Sequence, residues 1–365
     1  MEFNINIKIS CSPWFVGILA ELNGIYRGWS DGSYDWANQT SDFLSDLPPL
    51  PAFDNALFQT DLSKRLLDEV IKIVLKMVAG DYQAIRDYLK DTEFVFIIGY
   101  PRTGGSYLTK SIIQSFGLDH KEIPEPLAHD SFPNIMDSWQ VMDGQKPLSY
   151  LYESFIQLAE FLVISKAYYQ LKAKSNQLIS CPVIKKIHKV VHGGHGLKML
   201  FNPGQADYLL TFRNPLPVAI SIYEKSGGLP EDGLFPATRQ RSAIESMIVH
   251  DLKMEGYSLT EIAAMDYYQA VEKSWIRFYS KLAISGFFSG HREGVRLIPY
   301  GQAPLQETVK FYQEKYQLEN DLETFHIHKK SKQFPDYIKK SKATVKAMQN
   351  HWASLGLSFP TLDLS

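Results

Sequence analysis

The segment Phe94 to Leu108, FVFIIGYPRTGGSYL, places the tightest constraint on what this chain can fold into. The unbroken apolar run Phe94-Val95-Phe96-Ile97-Ile98 reads as a parallel strand buried on both faces. A glycine-containing turn follows, and then a helix predicted from Gly104 to Phe116. A strand, a tight loop and a helix in that order aim backbone N–H groups and the positive helix end at one point, which makes an anion site. Gly104 and Gly105 let the backbone approach the anion closely. Thr103 and Ser106 add hydroxyl donors.

The rest of the chain supplies partners for such a strand. Buried strands are predicted at Ile179 to Ile184, Tyr208 to Phe212 and Val295 to Pro299. Helical spacing is read from Thr60 to about Ala79, from Asp81 to Lys90, over 147–175, over 260–285, from Leu305 to Tyr316 and from Ala343 to Leu355. Asn214-Pro215 opens a further helix. Strands alternating with helices argue for an α/β fold, a central parallel sheet flanked by helices. Residues 1–90 read as a partly helical N-terminal extension packed on a core of residues 91–365. No regular element can be placed with assurance in residues 1–55. The Pro- and Gly-bearing stretch Leu229 to Leu259 reads as an insertion, a candidate lid over an acceptor.

Composition narrows the function classes. The chain has 365 residues, 45% hydrophobic, with Lys+Arg 38 against Asp+Glu 40. That near-neutral balance argues against a surface devoted to nucleic acid or to a polyanionic glycan. Two cysteines, Cys11 and Cys181, cannot build a disulfide framework, so a reducing compartment is expected. Glu2 stands where a secretory signal would be basic, and the apolar stretch WFVGILAEL is short and broken by Glu21. No run reaches the length of a membrane span. A cytoplasmic protein with no membrane span is the expectation.

Compared with the nucleotide P-loop, G-x-x-x-x-G-K-[ST], the loop keeps Gly99, Gly104 and Ser106 but has Gly105 at the lysine position. That lysine reaches the terminal phosphates in nucleotide triphosphate enzymes. A cation stands instead at Arg102. The stretch Tyr100-Pro101-Arg102-Thr103-Gly104-Gly105-Ser106-Tyr107 resembles the 5′-phosphosulfate loop of sulfotransferases that use 3′-phosphoadenosine 5′-phosphosulfate (PAPS). The resemblance implies that Arg102, Thr103, Gly104, Gly105, Ser106 and Tyr107 surround the phosphosulfate of this cosubstrate.

A second motif lies further on. Tyr208 to Pro215 reads as a strand ending in Arg213, with Asn214 as helix cap and Pro215 at the first helical position. Ser221 falls on the same helix face as the cap, so Arg213 and Ser221 can converge on one small anion. RNPLPVAISIY resembles the family's 3′-phosphate motif, which implies that Arg213 and Ser221 bind that phosphate. Val295 to Tyr300 resembles the family's strand ending in Tyr, which implies that Tyr300 contacts adenine. His328 to Lys332 is a candidate source of further cations for the 3′-phosphate; a solvated lysine run is the competing reading.

Sulfuryl transfer needs a base for the acceptor's proton, in-line placement and cations at the leaving phosphate. The strand Pro182 to His188 ends in Lys186 and His188 with one residue between them, so both face one side. This resembles the family's K-x-H element, which implies His188 as base and Lys186, with Arg102, as leaving-group cations. Glu125, in IPEPLAH, is an alternative base or substrate contact, and His129 is another. His188, His192 and His195 lack the acidic or Cys partners and spacing of a metal site, and the family needs no metal.

The resemblance therefore implies a P-loop-like sulfotransferase fold with extra N-terminal helices. The reaction would move a sulfuryl group from PAPS to a hydroxyl or amine of a small-molecule acceptor, as in secondary metabolism. An acceptor carried on a carrier protein would call for a basic docking patch, and a homodimer stays open. The rival readings are a P-loop phosphotransferase or NTPase, and a non-catalytic nucleotide-binding protein.

Overall fold

The computed structural model describes residues 11–25, 56–129, 148–176, 178, 180–188, 193–290, 292–318 and 330–364. Four parallel strands form one sheet: β1 (Phe94–Gly99), β2 (Val183–Ile187), β3 (Ala206–Phe212) and β4 (Val295–Pro299), in the order β2-β1-β3-β4. The central pair is in register from Phe94 opposite Ala206 to Gly99 opposite Thr211. β1 and β3 are buried along their whole length, as their uninterrupted apolar runs require. The helices are α1 (Pro13–Leu22), α2 (Ala56–Gln59), α3 (Asp61–Val78), α4 (Tyr82–Leu89), α5 (Gly105–Ser115), α6 (Glu125–Ala128), α7 (Leu148–Ser175), α8 (Gly194–Met199), α9 (Pro215–Lys225), α10 (Ala243–Met254), α11 (Leu259–Ala263), α12 (Tyr267–Ile284), α13 (Gln302–Tyr316) and α14 (Pro335–Ser354).

Helices cover both faces of the sheet. α5 and α13 pack together beside β1, β2 and β4. The opposite face carries Phe96, Tyr208 and Phe212. Phe96 stacks on Tyr208 at 5.8 Å between ring centroids, and Phe212 stacks on Tyr279 of α12 at 4.9 Å. Such aromatic pairs add specific geometry to plain area burial. α9, α12 and α14 form a second cluster around buried Trp275 and Trp352. α1 and α3 pack on α7, which borders β2.

Several expected boundaries move, each for an identifiable reason. The second strand begins at Val183 rather than at Ile179 and runs through two lysines; residue 179 itself lies outside the described residues. This matches the reading of Pro182 to His188 as a strand, whereas the apolar run alone ends at Ile184, because apolarity cannot foresee partners for buried ammonium groups. The continuous helix read over 260–285 is two helices. Asp266 starts the second by accepting from the Gln269 N–H at 2.7 Å, and its backbone bridges to Leu234. A tertiary contact thus overrides the local period. α14 begins at Pro335, well before Ala343, with the proline in the first turn.

The stretch 229–259 is not shaped as a lid. It contains α10, whose Ile248 and Leu252 are fully buried. The buried Glu245 there accepts from Arg241 and from the Tyr267 hydroxyl, each at 2.8 Å. α10 is thus anchored on α12, while Leu229, Leu234 and residues 238–241 are exposed.

In the first 55 residues, where no element was expected with assurance, α1 forms. Trp14, Phe15, Ile18 and Leu19 give it a buried stripe. The helix is tied down by the Ser12 N–H, which donates to Glu160 Oε1 of α7 at 2.7 Å. Glu160 is fully buried and its second oxygen has no hydrogen-bond partner. Burial raises its carboxyl to about 7, against the opposing effect of the Ser12 bond. The folded value exceeds the unfolded one, so the native state gains from protonation below about 4.5 and loses that gain as pH rises through 7. Glu160→Gln keeps an acceptor for Ser12 without the charge. The variant should melt higher than the parent at pH 8, by up to ~3 kcal/mol of stability, and the difference should shrink toward zero at pH 4. A pH-independent difference in thermal melting would contradict this.

Candidate active site

Each strand hands a candidate residue to the same end of the sheet. β1 runs into the loop 100–104, His188 follows β2, Arg213 follows β3 and Tyr300 follows β4. Ligands of open parallel sheets bind outside these carboxyl ends, where the strand order reverses. Here the chain moves from β1 outward to β2 and then back across to β3, so the β1 and β3 ends flank the reversal.

The loop after β1 is held from below. The Thr103 hydroxyl donates to the Tyr100 carbonyl at 2.6 Å and lies 2.7 Å from the Thr211 hydroxyl on β3. With Thr103 only 2% exposed, this expected ligand hydroxyl serves the loop's own shape. Gly99 is required by that arrangement, because a Cβ there would stand 1.9 Å from Thr211 Oγ1. Arg102 and Gly104 take positive φ, 68° and 96°. The strain at a non-glycine residue turns the Arg102 side chain out of the loop. Ser106 is exposed in the first turn of α5, and Tyr107 is half-buried beside it. No side chain caps this helix, and the first N–H groups of any α-helix lack intrahelical acceptors.

The position of the missing P-loop lysine is filled from another strand. A Cβ on Gly105 would lie 3.2 Å from Lys186 Cε and 3.4 Å from its Cδ. Lys186 of β2 therefore lays its stem across the first residue of α5, and Gly105 is the residue that admits it. Gly105→Ala should leave thermal stability within about 1 kcal/mol, because only a flexible stem must move. In the turnover assay below it should cost about tenfold or more by displacing the ammonium; full activity would show that the stem's position is unimportant.

The two sequence motifs meet at Arg102. Its Nε donates to Ser221 Oγ of α9 at 2.9 Å. Its backbone carbonyl accepts from Arg213 Nη1 at 3.1 Å. The Arg213 guanidinium lies 3.8 Å above the Tyr300 ring, and Tyr300 in turn would touch a Cβ on Gly104 at 3.2 Å. Arg213 is 8% exposed. Burial lowers it to about 10; Tyr300 and Glu224 oppose that shift and Arg102 adds to it. At neutral pH it remains a cation. Asn214 caps α9 as expected, accepting from the Leu216 N–H at 3.1 Å.

His188 donates Nδ1–H to the Gly99 carbonyl at 2.5 Å. A carbonyl can only accept, so the imidazole is fixed in the tautomer whose Nε2 bears the lone pair. Beside it stands a second proton-carrying group. Lys186 Nζ lies 3.4 Å from His129 Nε2, and His129 Nδ1 lies 3.5 Å from Glu125 Oε1. Lys185, on the opposite face of β2, holds this segment in place. Its buried ammonium donates to the carbonyls of Pro126, at 2.8 Å, and of His129.

One member of the cluster escaped the sequence reading. Lys225 lies one helical turn beyond Ser221 on the same face of α9. Burial lowers its pKa first, then the charges of Arg102 and Lys186, with Glu125 opposing. The i, i+4 relation to Ser221 was the available signal. Residues 328–329 lie outside the described residues, Ser331 is buried and donates to the Leu364 carbonyl at 2.8 Å, and Lys332 is exposed. His192 also lies outside the described residues. Among the described residues there is no group of three or more His, Cys, Asp or Glu able to hold a metal, and no helix is long and apolar enough to cross a membrane.

No protein-family model matches the chain, and no curated protein does. Among solved structures, it is similar to the sulfotransferase domain of the Synechococcus PCC 7002 olefin synthase, with 15% identity and a TM-score of 0.33, covering 75% of this chain and 90% of that one. It is also similar to the sulfotransferase domain of the curacin biosynthetic pathway, with 12% identity and a TM-score of 0.33, covering 74% of this chain and 99% of that one. At such low values the reading of function rests on the chain's own site.

Proposed function

We propose that the chain is a sulfotransferase that moves the sulfuryl group of PAPS to a hydroxyl or amine of a small-molecule acceptor. The observation that carries this reading is the meeting of Arg102, Arg213, Ser221 and Lys186 around an uncapped helix N-terminus, with a lysine from β2 laid over the loop position where a P-loop carries its own. This is an anion site with cations on two sides, suited to a donor that bears phosphate at both ends.

In this reading the α5 N-terminus, Ser106 and Arg102 take the phosphosulfate. Arg213 and Ser221 take the 3′-phosphate, and Ser221 exchanges its bond with Arg102 for one with the ligand. Tyr300, one face covered by Arg213, contacts the adenine. His188 Nε2 accepts the acceptor's proton as its oxygen or nitrogen attacks sulfur. The S–O bond to the bridging oxygen breaks, and Lys186 and Arg102 neutralise the charge that develops on the departing adenosine 3′,5′-bisphosphate. His129, bridging Lys186 and Glu125, orients the lysine and is the alternative route for the proton.

The test is an acceptor screen with PAPS, following adenosine 3′,5′-bisphosphate release together with a sulfate-sized mass gain in the acceptor. Turnover that requires ATP and Mg²⁺ with no response to PAPS would replace this reading by phosphoryl transfer. Tight PAPS binding with no product from any acceptor class would replace it by a binding role.

A further inference from the structure

We propose that the groove between α12 and α14 docks an acidic amphipathic helix of a partner protein. The groove encloses about 510 Å³ and is lined by Ile276, Ser280, Ala343, Ala347, Met348 and His351. Its lining combines the small residues Ser280, Ala343 and Ala347 with the apolar Ile276 and Met348, Ile276 being 38% exposed at one edge. Small residues one turn apart at 343 and 347 let a third helix approach the pair closely, the geometry of helix-in-groove recognition.

The charge around the groove selects the partner. Lys339, Lys342 and Lys346 recur at helical spacing along a ridge of α14 adjoining Ala343 and Ala347, and Lys281 stands on α12. None of these four lysines makes an ion pair among the described residues. The acids of the two helices are Glu272 and Asp336. Glu272 is consumed between the helices, accepting from the Tyr268 hydroxyl at 3.0 Å and from the Thr344 hydroxyl. The whole chain carries a formal charge of −2, so this excess of cations is local to the groove. An apolar floor beside unpaired lysines matches a helix whose apolar stripe is bordered by Asp and Glu.

Other occupants fit less well. A second copy docked face to face would bring the same lysines against each other. A lipid surface favours protruding Trp, Phe or Leu side chains, and the groove has none among its lining residues. The proposal does not depend on sulfuryl transfer.

The probe is a fluorescein-labelled helical peptide of about 18 residues, with Leu at i, i+3, i+4 and i+7 and Glu on both borders. It is titrated into the full chain and read by anisotropy. Binding should be micromolar and weaken as salt rises. A peptide of the same composition with the apolar stripe scrambled should bind at least tenfold more weakly. So should the chain carrying Lys342→Glu and Lys346→Glu, or the chain carrying Ala347→Trp, which fills the groove. All these positions are exposed, and circular dichroism checks that the variants fold. Equal binding of the scrambled peptide, or undiminished binding by either variant, would overturn the proposal. So would preferential binding to phosphatidylserine vesicles, or a dimer on size exclusion that Ala347→Trp converts to monomer.

Discussion

Replacing His188 by Asn should lower sulfuryl-transfer turnover by ~10²–10⁴ while leaving PAPS affinity unchanged. The choice of Asn follows from the geometry. Its amide nitrogen occupies the position of Nδ1 and can keep the bond to the Gly99 carbonyl, so the end of β2 stays seated on β1. What disappears is the lone pair on Nε2. His188→Ala should give a similar loss of turnover and also release Gly99, so the Asn variant separates proton transfer from local packing. Donor affinity by calorimetry and single-turnover rates by quenched flow check both halves. Turnover of the Asn variant close to that of the parent would move the base to His129 or Glu125, which stand in line behind Lys186. Glu125→Gln would then become the decisive variant.

The second large effect is expected at Arg213. Arg213→Met should weaken PAPS binding by about 2–3 kcal/mol, roughly 30- to 150-fold. Arg213 is a nearly buried cation whose burial opposes its charge, and its guanidinium is held against the Arg102 carbonyl and the Tyr300 ring beside the proposed phosphate position. A phosphate brought to that guanidinium stabilises the folded protein. Saturating PAPS should therefore raise the melting temperature of the parent strongly and that of the variant little. Arg213→Lys should behave much like Met, since an ammonium neither lies flat on Tyr300 nor offers two parallel donors. An unchanged dissociation constant for Arg213→Met would detach the 3′-phosphate from this motif and remove one half of the proposed donor site.

How far the sequence discloses these features depends on the range of the interactions behind them. The β1 loop and the start of α9 were legible because their signals are local. Apolar runs, Gly104 and the Asn214-Pro215 pair act within a few residues. The packing of Thr103 was not legible because its partner, Thr211, is on another strand. The strand through Pro182 to His188 was legible, but the anchoring role of Lys185 was not, because its buried ammonium becomes tolerable only once the carbonyls of Pro126 and His129 arrive beneath it. α1 went unplaced because its anchor, Glu160, lies far along the chain. Lys225 stood in plain view at a helical interval from Ser221, but only the folded site gives that interval a meaning.

Lys185 and Lys186 point to opposite faces of β2, one gripping the backbone beneath Glu125 and His129, the other reaching over α5. The pairing that places Lys185 opposite Phe96 and Lys186 opposite Ile97 is thus the alignment gauge of the site. A slip of the strand by a single residue would exchange the two ammonium groups, sending Lys186 to the anchoring carbonyls and Lys185 toward α5. Deleting one residue upstream of Val183 is accordingly more damaging to chemistry than to folding, since the apolar neighbours on either side of the lysines could still find cover.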